Sequence, residues 1–412
     1  FIAFASHNDF PCITIDLQKQ FIGIDDLQQL GAALKNCTNL SSLLLKIPSK
    51  AIKEKGVQIL SSGIINCIVL KNLKLFIQEN QINQIGANSL GQALHQLQKL
   101  QTLKLNLNKN NISNDGAEQL GNQIGQCMKL QTLDLDLENN YIHKLGASKL
   151  AQGIAKCSNI STLSISLMHN LIEEVACDVQ TGQQMNRSVL GLSIQNCTNL
   201  SSLKLYLSNN KIKDTTHLNS VIVNCVNITS LHLDLKYNSM QSFDIVSVLE
   251  KFKNLQSFYL DLSENQLSLD SRKSLCKSIT KCTELINLAL NFQNIQISLD
   301  NLSDLCQSIE KCKKISKLSL NLGYNKISYN GILKLSNTLE ILKNLSTLHL
   351  NLKKNNFSEK GVSHLGKVLK ECSQINVLEI DLSLNDFGFG QEEEFLNNIL
   401  KMNTLVKKKV VI

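Results

Sequence analysis

The chain runs to 412 residues with 43% hydrophobic content, too long for one ordinary compact domain, so it must hold several domains or a repeat array. Two prolines, no tryptophan and no Gly/Ser-rich or Pro-rich run leave no recognisable linker, which favours one continuous array over residues 1–412. The net charge of +8 is dispersed among acids, its only tight run being Lys407, Lys408 and Lys409, and no apolar stretch approaches the roughly 18 residues of a membrane span.

Read in chain order, the opening FIAFAS is too short for a signal peptide and lacks its basic lead. Residue 1 is not methionine, so a segment upstream of Phe1 is expected. From there a single period organises the sequence: NCTNLSSL at 36–43 returns letter for letter at 196–203. Strand starts are predicted at Ile13, Leu43, Leu73, Leu103, Leu133, Leu163, Leu203, Leu231, Phe258, Leu288, Leu318, Leu348 and Leu378, thirteen units mostly 30 residues apart. Apolar residues alternate in each, as in Leu133, Leu135 and Leu137, the period of a half-buried strand.

Seven residues after the strand start, ten units carry asparagine: Asn80, Asn110, Asn140, Asn170, Asn210, Asn238, Asn265, Asn325, Asn355 and Asn385. Gln20, Lys50 and Ile295 are the exceptions. A side-chain amide imitates a peptide group where the chain turns off the sheet, so stacked copies should form a hydrogen-bonded ladder. The second half of each unit reads as a helix, with pairs such as Leu120 and Ile124 or Leu150 and Ile154 on one face. A small residue follows the leucine, as at Gly31, Ser61, Gly91, Gly121, Ala151, Gly191, Cys276, Cys306, Ser336 and Gly366, and is expected to let helix approach strand.

These residues resemble the leucine-rich repeat proteins, and more narrowly the ribonuclease-inhibitor-like subfamily, whose units pair an L-x-x-L-x-L-x-x-N-x-L strand segment with a full helix. Leu100, Leu103, Leu105, Asn110 and Ile112 carry the pattern. Two inserted residues lengthen it to L-x-x-L-x-L-x-L-x-x-N, as in Leu130, Leu133, Leu135, Leu137 and Asn140, which keeps the strand faces unchanged. Asparagine- and lysine-rich versions look like expanded repeat families of protists, where such arrays can follow a protein kinase domain. The resemblance implies an α/β leucine-rich repeat solenoid. Strands stack about 4.8 Å apart while helices need about 8 to 10 Å, so the array should bend into a horseshoe with its parallel sheet concave and its helices convex.

Two irregularities stand out. The unit between Leu163 and Leu203 is 40 residues long, with its surplus in residues 173–188, and the next two shrink to 28 and 27. The surplus reads equally as a partner-contacting loop or as drift. Nine of the thirteen cysteines share one phase, at Cys37, Cys67, Cys127, Cys157, Cys197, Cys225, Cys282, Cys312 and Cys372, and Leu97, Phe252 and Leu342 replace them elsewhere. That exchange marks a buried apolar site, lacks metal-ligand spacing, and fits a reducing compartment, the cytoplasm. N-x-S/T sequons such as that at Asn36 follow from the abundance of asparagine and serine.

The chain carries no phosphate-cradling loop, H-E-x-x-H or G-x-S-x-G motif, so no catalytic residue and no cofactor is expected. Among the outward strand positions, Asp134 and Asp136 with Glu138 make an acidic spot. Tyr206, His232, Asp234, Tyr237, Tyr259 and Asp261 make an aromatic and acidic patch over three rungs. Aromatic anchors rimmed by charge suit a protein partner, the alternative being tyrosine tolerated at half-exposed strand positions. Acidity argues against nucleic acid. The sequence therefore reads as a non-catalytic scaffold binding a protein on its concave face. The resemblance also admits a Ran GTPase-activating-protein-like regulator, against which the terminal KKKVVI stands in place of an acidic tail, or the regulatory array of a kinase-containing protein. At the ends, the phase runs back to Phe4, His7, Phe10 and Ile13, partway through a helix. Leu405, Val410 and Ile412 fall as the lead-in and the second and third inward positions of a further unit. Neither end carries a polar capping unit, so a longer protein or a covering chain is expected.

Overall fold

The computed structural model describes residues 10–50, 52–172, 197–213 and 225–412. The 173–188 surplus, Gly191, Phe4 and His7 lie outside the described residues, as does the helical half of the unit that starts at Leu203. The chain divides into two compact units, Phe1–Ile212 with Ser220–Asn227, and Lys213–Asn219 with Ile228–Ile412.

In the first unit seven strands, β1 (Cys12–Asp16), β2 (Ser42–Lys46), β3 (Asn72–Phe76), β4 (Thr102–Asn106), β5 (Thr132–Asp136), β6 (Thr162–Ser166) and β7 (Ser202–Tyr206), pair in sequence order and in parallel. Between them run α1 (Ile24–Lys35), α2 (Lys53–Ile64), α3 (Gln84–Gln96), α4 (Ser113–Ile124) and α5 (Lys144–Ile154). Paired residues are 30 apart, as Thr132 with Thr162, until Thr162 meets Ser202 across the long unit. The strand faces therefore keep their register across the long unit.

The second unit repeats the plan with β8 (Ser230–Asp234), α6 (Val246–Leu249), β9 (Ser257–Asp261), α7 (Leu269–Ser278), β10 (Asn287–Asn291), α8 (Leu299–Lys311), β11 (Lys317–Asn321), α9 (Tyr329–Ile341), β12 (Thr347–Asn351), α10 (Glu359–Glu371), β13 (Val377–Asp381), α11 (Phe389–Leu400) and β14 (Lys407–Val411). Its 27-residue unit pairs Ser230 with Ser257 and loses its length from the helix, leaving α6 with four residues. A fourteenth strand forms where the phase placed a further unit, Val410 opposite Ile380 and Lys408 opposite Leu378.

Alternation decides which side chains enter the core. Leu133 and Leu135 are fully buried, and Leu137 stays buried although it lies just past the strand. Its N–H still donates to Ser166 O at 2.9 Å, and Asn139 N reaches Met168 O at 3.0 Å, so the two inserted residues prolong the pairing. Each such leucine contributes about 1.5–3 kcal/mol of apolar burial.

The asparagine ladder forms as expected. Asn140 N donates to Asn170 Oδ1 at 3.0 Å and Ile142 N to the same oxygen at 2.9 Å, while Asn170 Nδ2 donates to the carbonyls of Leu137 and Leu167. The second unit repeats this at Asn355, which accepts from Asn325 and Ile327. Where Ile295 interrupts the series, Arg272 donates from α7 to the carbonyls of Leu267 and Ile295. A second set of bonds gives the sequons that lead into the strands, though not the one at Asn36, a structural role. Asn159, Asn199, Asn227 and Asn344 donate to backbone carbonyls of the preceding repeat, and Ser161, Ser201 and Ser346 do likewise.

The small helical residues work differently from the expectation. They face the neighbouring helix, not the strands: a Cβ added at Gly121 would sit 2.5 Å from Leu150 O, and one at Gly31 3.0 Å from Ile59 O. Helix-to-helix spacing is what they set.

Candidate partner-binding face

The outward strand positions hold three rows, and the last of these is already occupied by the protein itself. At the fifth strand residue an aspartate or asparagine recurs, and one side-chain oxygen accepts the N–H two residues on. It does so at Asp16, Asn106, Asp136, Asp234, Asp261, Asn291, Asn321, Asn351 and Asp381, at 2.9 to 3.3 Å. This is an Asx bond that turns the chain off the sheet. Asp136, Asp234 and Asp261, grouped by the sequence as binding residues, therefore have one carboxylate oxygen each committed to backbone.

Asp261 is the furthest from solvent, 5% exposed. Its Oδ1 takes Ser263 N at 2.9 Å and Ser263 Oγ at 2.6 Å, and its Oδ2 takes Asn291 Nδ2 at 2.7 Å. The contribution of Asp261 is to hold its neighbours in place, since little of it reaches the surface.

The aromatic members are arranged around it in the second unit. His232 on β8 and Tyr259 on β9 stack with centroids 3.8 Å apart and planes 2° from parallel. Tyr259 Oη donates to Asp261 Oδ2 at 3.4 Å. Both rings are half-buried, which makes a preorganised aromatic surface. Tyr237 lies beyond the end of β8, exposed, at φ 51°, with Lys236 Nζ 4.6 Å above its ring. Tyr206 ends β7 in the first unit and is half-buried there.

The acidic trio belongs to the first unit. Asp134 pairs with Lys104 Nζ at 2.6 Å, and Glu138 accepts Asn108 Nδ2 at 3.0 Å. Burial pushes the Asp136 carboxyl up, and the neighbouring Asp134 charge adds to the rise. Lys104 offsets one of the three charges, so the trio is less negative than its composition suggests.

Sequence reasoning counts the positions on the far side of Tyr259 as outward but singles out none of them. The middle outward residues of β10 and β11 are Ala289 and Ser319, and beyond them His349 Nε2 lies 3.9 Å from Glu379 Oε2. Lys407 hydrogen-bonds Glu379 at 2.7 Å and holds its carboxyl below the usual carboxylate range. Relative size along this row was the available signal.

The cysteines stand apart from this face. Eleven of the twelve described are buried and all twelve are free thiols. Cys67, Cys127 and Cys157 donate to the carbonyls of Leu34, Leu94 and Ile124 in the preceding repeat. Burial pushes Cys157 up to about 12 and Cys127 up to about 11. Among the described residues no group of three histidine, cysteine, aspartate or glutamate side chains could hold a metal ion, and no helix is long and apolar enough to cross a membrane. The face as built offers shape, aromatic surface and charge, the means of recognition.

Among the described residues, parallel strands in sequence order, helices behind them and a ladder of asparagines between define a leucine-rich repeat solenoid. A family model described as a leucine-rich repeat matches residues 99–121 of the first unit and 318–336 of the second, so the chain carries leucine-rich repeats in both. A leucine-rich repeat protein of Leptospira interrogans is similar in structure, with 17% identity, a TM-score of 0.51, and coverage of 100% of this chain and 98% of that one. Two internalins of Listeria monocytogenes match at lower scores. InlF is 17% identical with a TM-score of 0.43, covering 94% of this chain and 93% of its own. Internalin C2 is 21% identical with a TM-score of 0.37, covering 63% and 84%. No curated protein sequence matches the chain.

Proposed function

We propose that the protein is a non-catalytic scaffold whose repeats bind a protein partner on the outward strand face, the concave side of a leucine-rich repeat array, and that it works in the cytoplasm. Repeat solenoids generally use that face for partners. The observation that carries the reading is the His232–Tyr259 stack, two half-buried rings held parallel on adjacent strands with Asp261 fixing the tyrosine hydroxyl. Rigid aromatic surface of this kind supplies hot-spot area at low entropic cost. The buried cysteines, none of them disulfide-bonded among the described residues, support a reducing compartment. Helices of 11 to 13 residues through the first unit support the ribonuclease-inhibitor-like subfamily, whose units carry full helices.

The test is affinity capture from cell extract with the intact chain, compared with a His232→Ala/Tyr259→Ala double variant. A partner retained by the first and lost at least tenfold by the second, with the melting temperature unchanged, is the expected result. Partners captured equally by both would defeat this placement.

A further inference from the structure

We propose that the second unit holds a slot for one tyrosine or tryptophan side chain of the partner, with an acidic residue beside it; the inference rests on the partner-binding reading above. Along the middle outward row of β8 to β12 the residues are His232, Tyr259, Ala289, Ser319 and His349, matched across the strands by register. The two smallest are in the middle. Tyr259, stacked on His232, stands as the wall to one side of them, and His349, within 3.9 Å of Glu379, stands as the wall to the other. Three strand spacings separate those walls, about 14 Å at about 4.8 Å each. The resulting open cavity is about 350 Å³, at the small end of the range of about 300–1,000 Å³ for ligand clefts.

The lining selects the occupant. His232 and Tyr259, stacked on each other, both line the slot, and an aromatic lining favours a ring over a flexible aliphatic chain. The cavity is open to solvent, so an occupant ring keeps its edge in reach of water, which suits tyrosine and tryptophan, each with a polar group at the ring edge, better than phenylalanine. The exposed charge at the rim is cationic. Lys317 is exposed at the start of β11, whereas the nearby carboxylates are taken, Asp261 by Ser263 and Asn291, Glu379 by Lys407. An acidic neighbour beside the aromatic anchor complements Lys317, and a basic one would meet like charge.

The experiment is selection of a phage-displayed random peptide library on the intact chain, with enriched peptides then measured by fluorescence anisotropy. Peptides pairing Tyr or Trp with an adjacent Asp or Glu are expected. Ala289→Trp, which fills the slot from a half-exposed position, should weaken them at least tenfold, and Ser319→Tyr should do the same. Lys317→Glu should shift the selection toward basic neighbours. Enrichment of peptides without an aromatic residue, or of none, would overturn the slot. If Ala289→Trp leaves the peptides bound while His232→Ala/Tyr259→Ala releases them, the slot is wrong and the strand-face reading stands. If neither set matters, both fall.

Discussion

Asn110 accepts the backbone N–H groups of Asn80 and Ile82 on one oxygen, each at 2.9 Å, from a side chain 2% exposed. Its amide nitrogen returns bonds to the carbonyls of Leu107 and Ile77 at 2.8 and 3.2 Å. Asn110→Ala therefore strands two donors and the Ile77 carbonyl in the interior, while Leu107 O keeps Asn140 Nδ2 at 2.8 Å. With each orphaned group costing about 1–3 kcal/mol and some relaxation, the loss should be about 2–4 kcal/mol by urea titration. Asn111→Ala, an exposed position next door, should stay within about 0.5 kcal/mol. Comparable losses at the two positions would remove the ladder as the cause.

A steric prediction concerns the helix layer of the first unit. A Cβ at Gly153 would lie 2.1 Å from Gly121 C and 2.3 Å from Gly121 O, both backbone atoms. Neither α4 nor α5 can accommodate Gly153→Ala without moving apart, so a loss of about 1–3 kcal/mol is expected from overpacking. Gly390→Ala in α11 meets nothing within 4 Å and should be neutral or stabilising by up to about 1 kcal/mol. Thermal melts of both variants decide it, and stability retained at Gly153→Ala would show that the helices are not held at this spacing.

The difference between what was legible and what was not has a physical source. Parity along Leu133, Leu135 and Leu137 reports which face a side chain takes, and recurrence of Asn110, Asn140 and Asn170 at one phase reports a structural demand. Neither reports which atoms of an outward side chain the backbone already holds. Asp136, Asp234 and Asp261 were correctly read as outward, yet each is spent on an N–H two residues away. Asn106, Asn291, Asn321 and Asn351 at the same phase carried that signal. The partner of a small residue is equally invisible. Gly121 announces a close approach, but only the packing shows that Leu150 of the next helix makes it.

Backbone strain yields a stabilising substitution. Leu384 sits at φ 59° with its side chain 64% exposed, so it bears the left-handed penalty without burying its apolar surface. The corresponding residue in the first unit is Asn139 at φ 60°, a type that tolerates this region. Leu384→Asn should therefore stabilise by up to about 1 kcal/mol, seen as a raised denaturation midpoint. A lowered midpoint would mean that Leu384 makes apolar contacts that outweigh its strain.

The buried thiols set an alkaline limit on stability. Cys157 is pushed up to about 12 and Cys127 up to about 11 from an ordinary value of 9.0, because burial disfavours the thiolate. Below pH 9 these groups are protonated in both states and contribute no pH dependence. Above it the unfolded chain loses protons that the folded chain keeps, so stability falls as pH rises from 9 toward 12. Each such thiol steepens the fall by up to about 1.4 kcal/mol per pH unit. Urea midpoints should drop steeply between pH 9 and 11, and Cys157→Ala should show a shallower slope even though it lowers stability at neutral pH. At pH 8 a charged thiol reagent should modify exposed Cys12 quickly and leave Cys157 untouched until the protein unfolds. Rapid native labelling of Cys157, or a variant slope equal to that of the parent, would show that this thiol is not held protonated by burial.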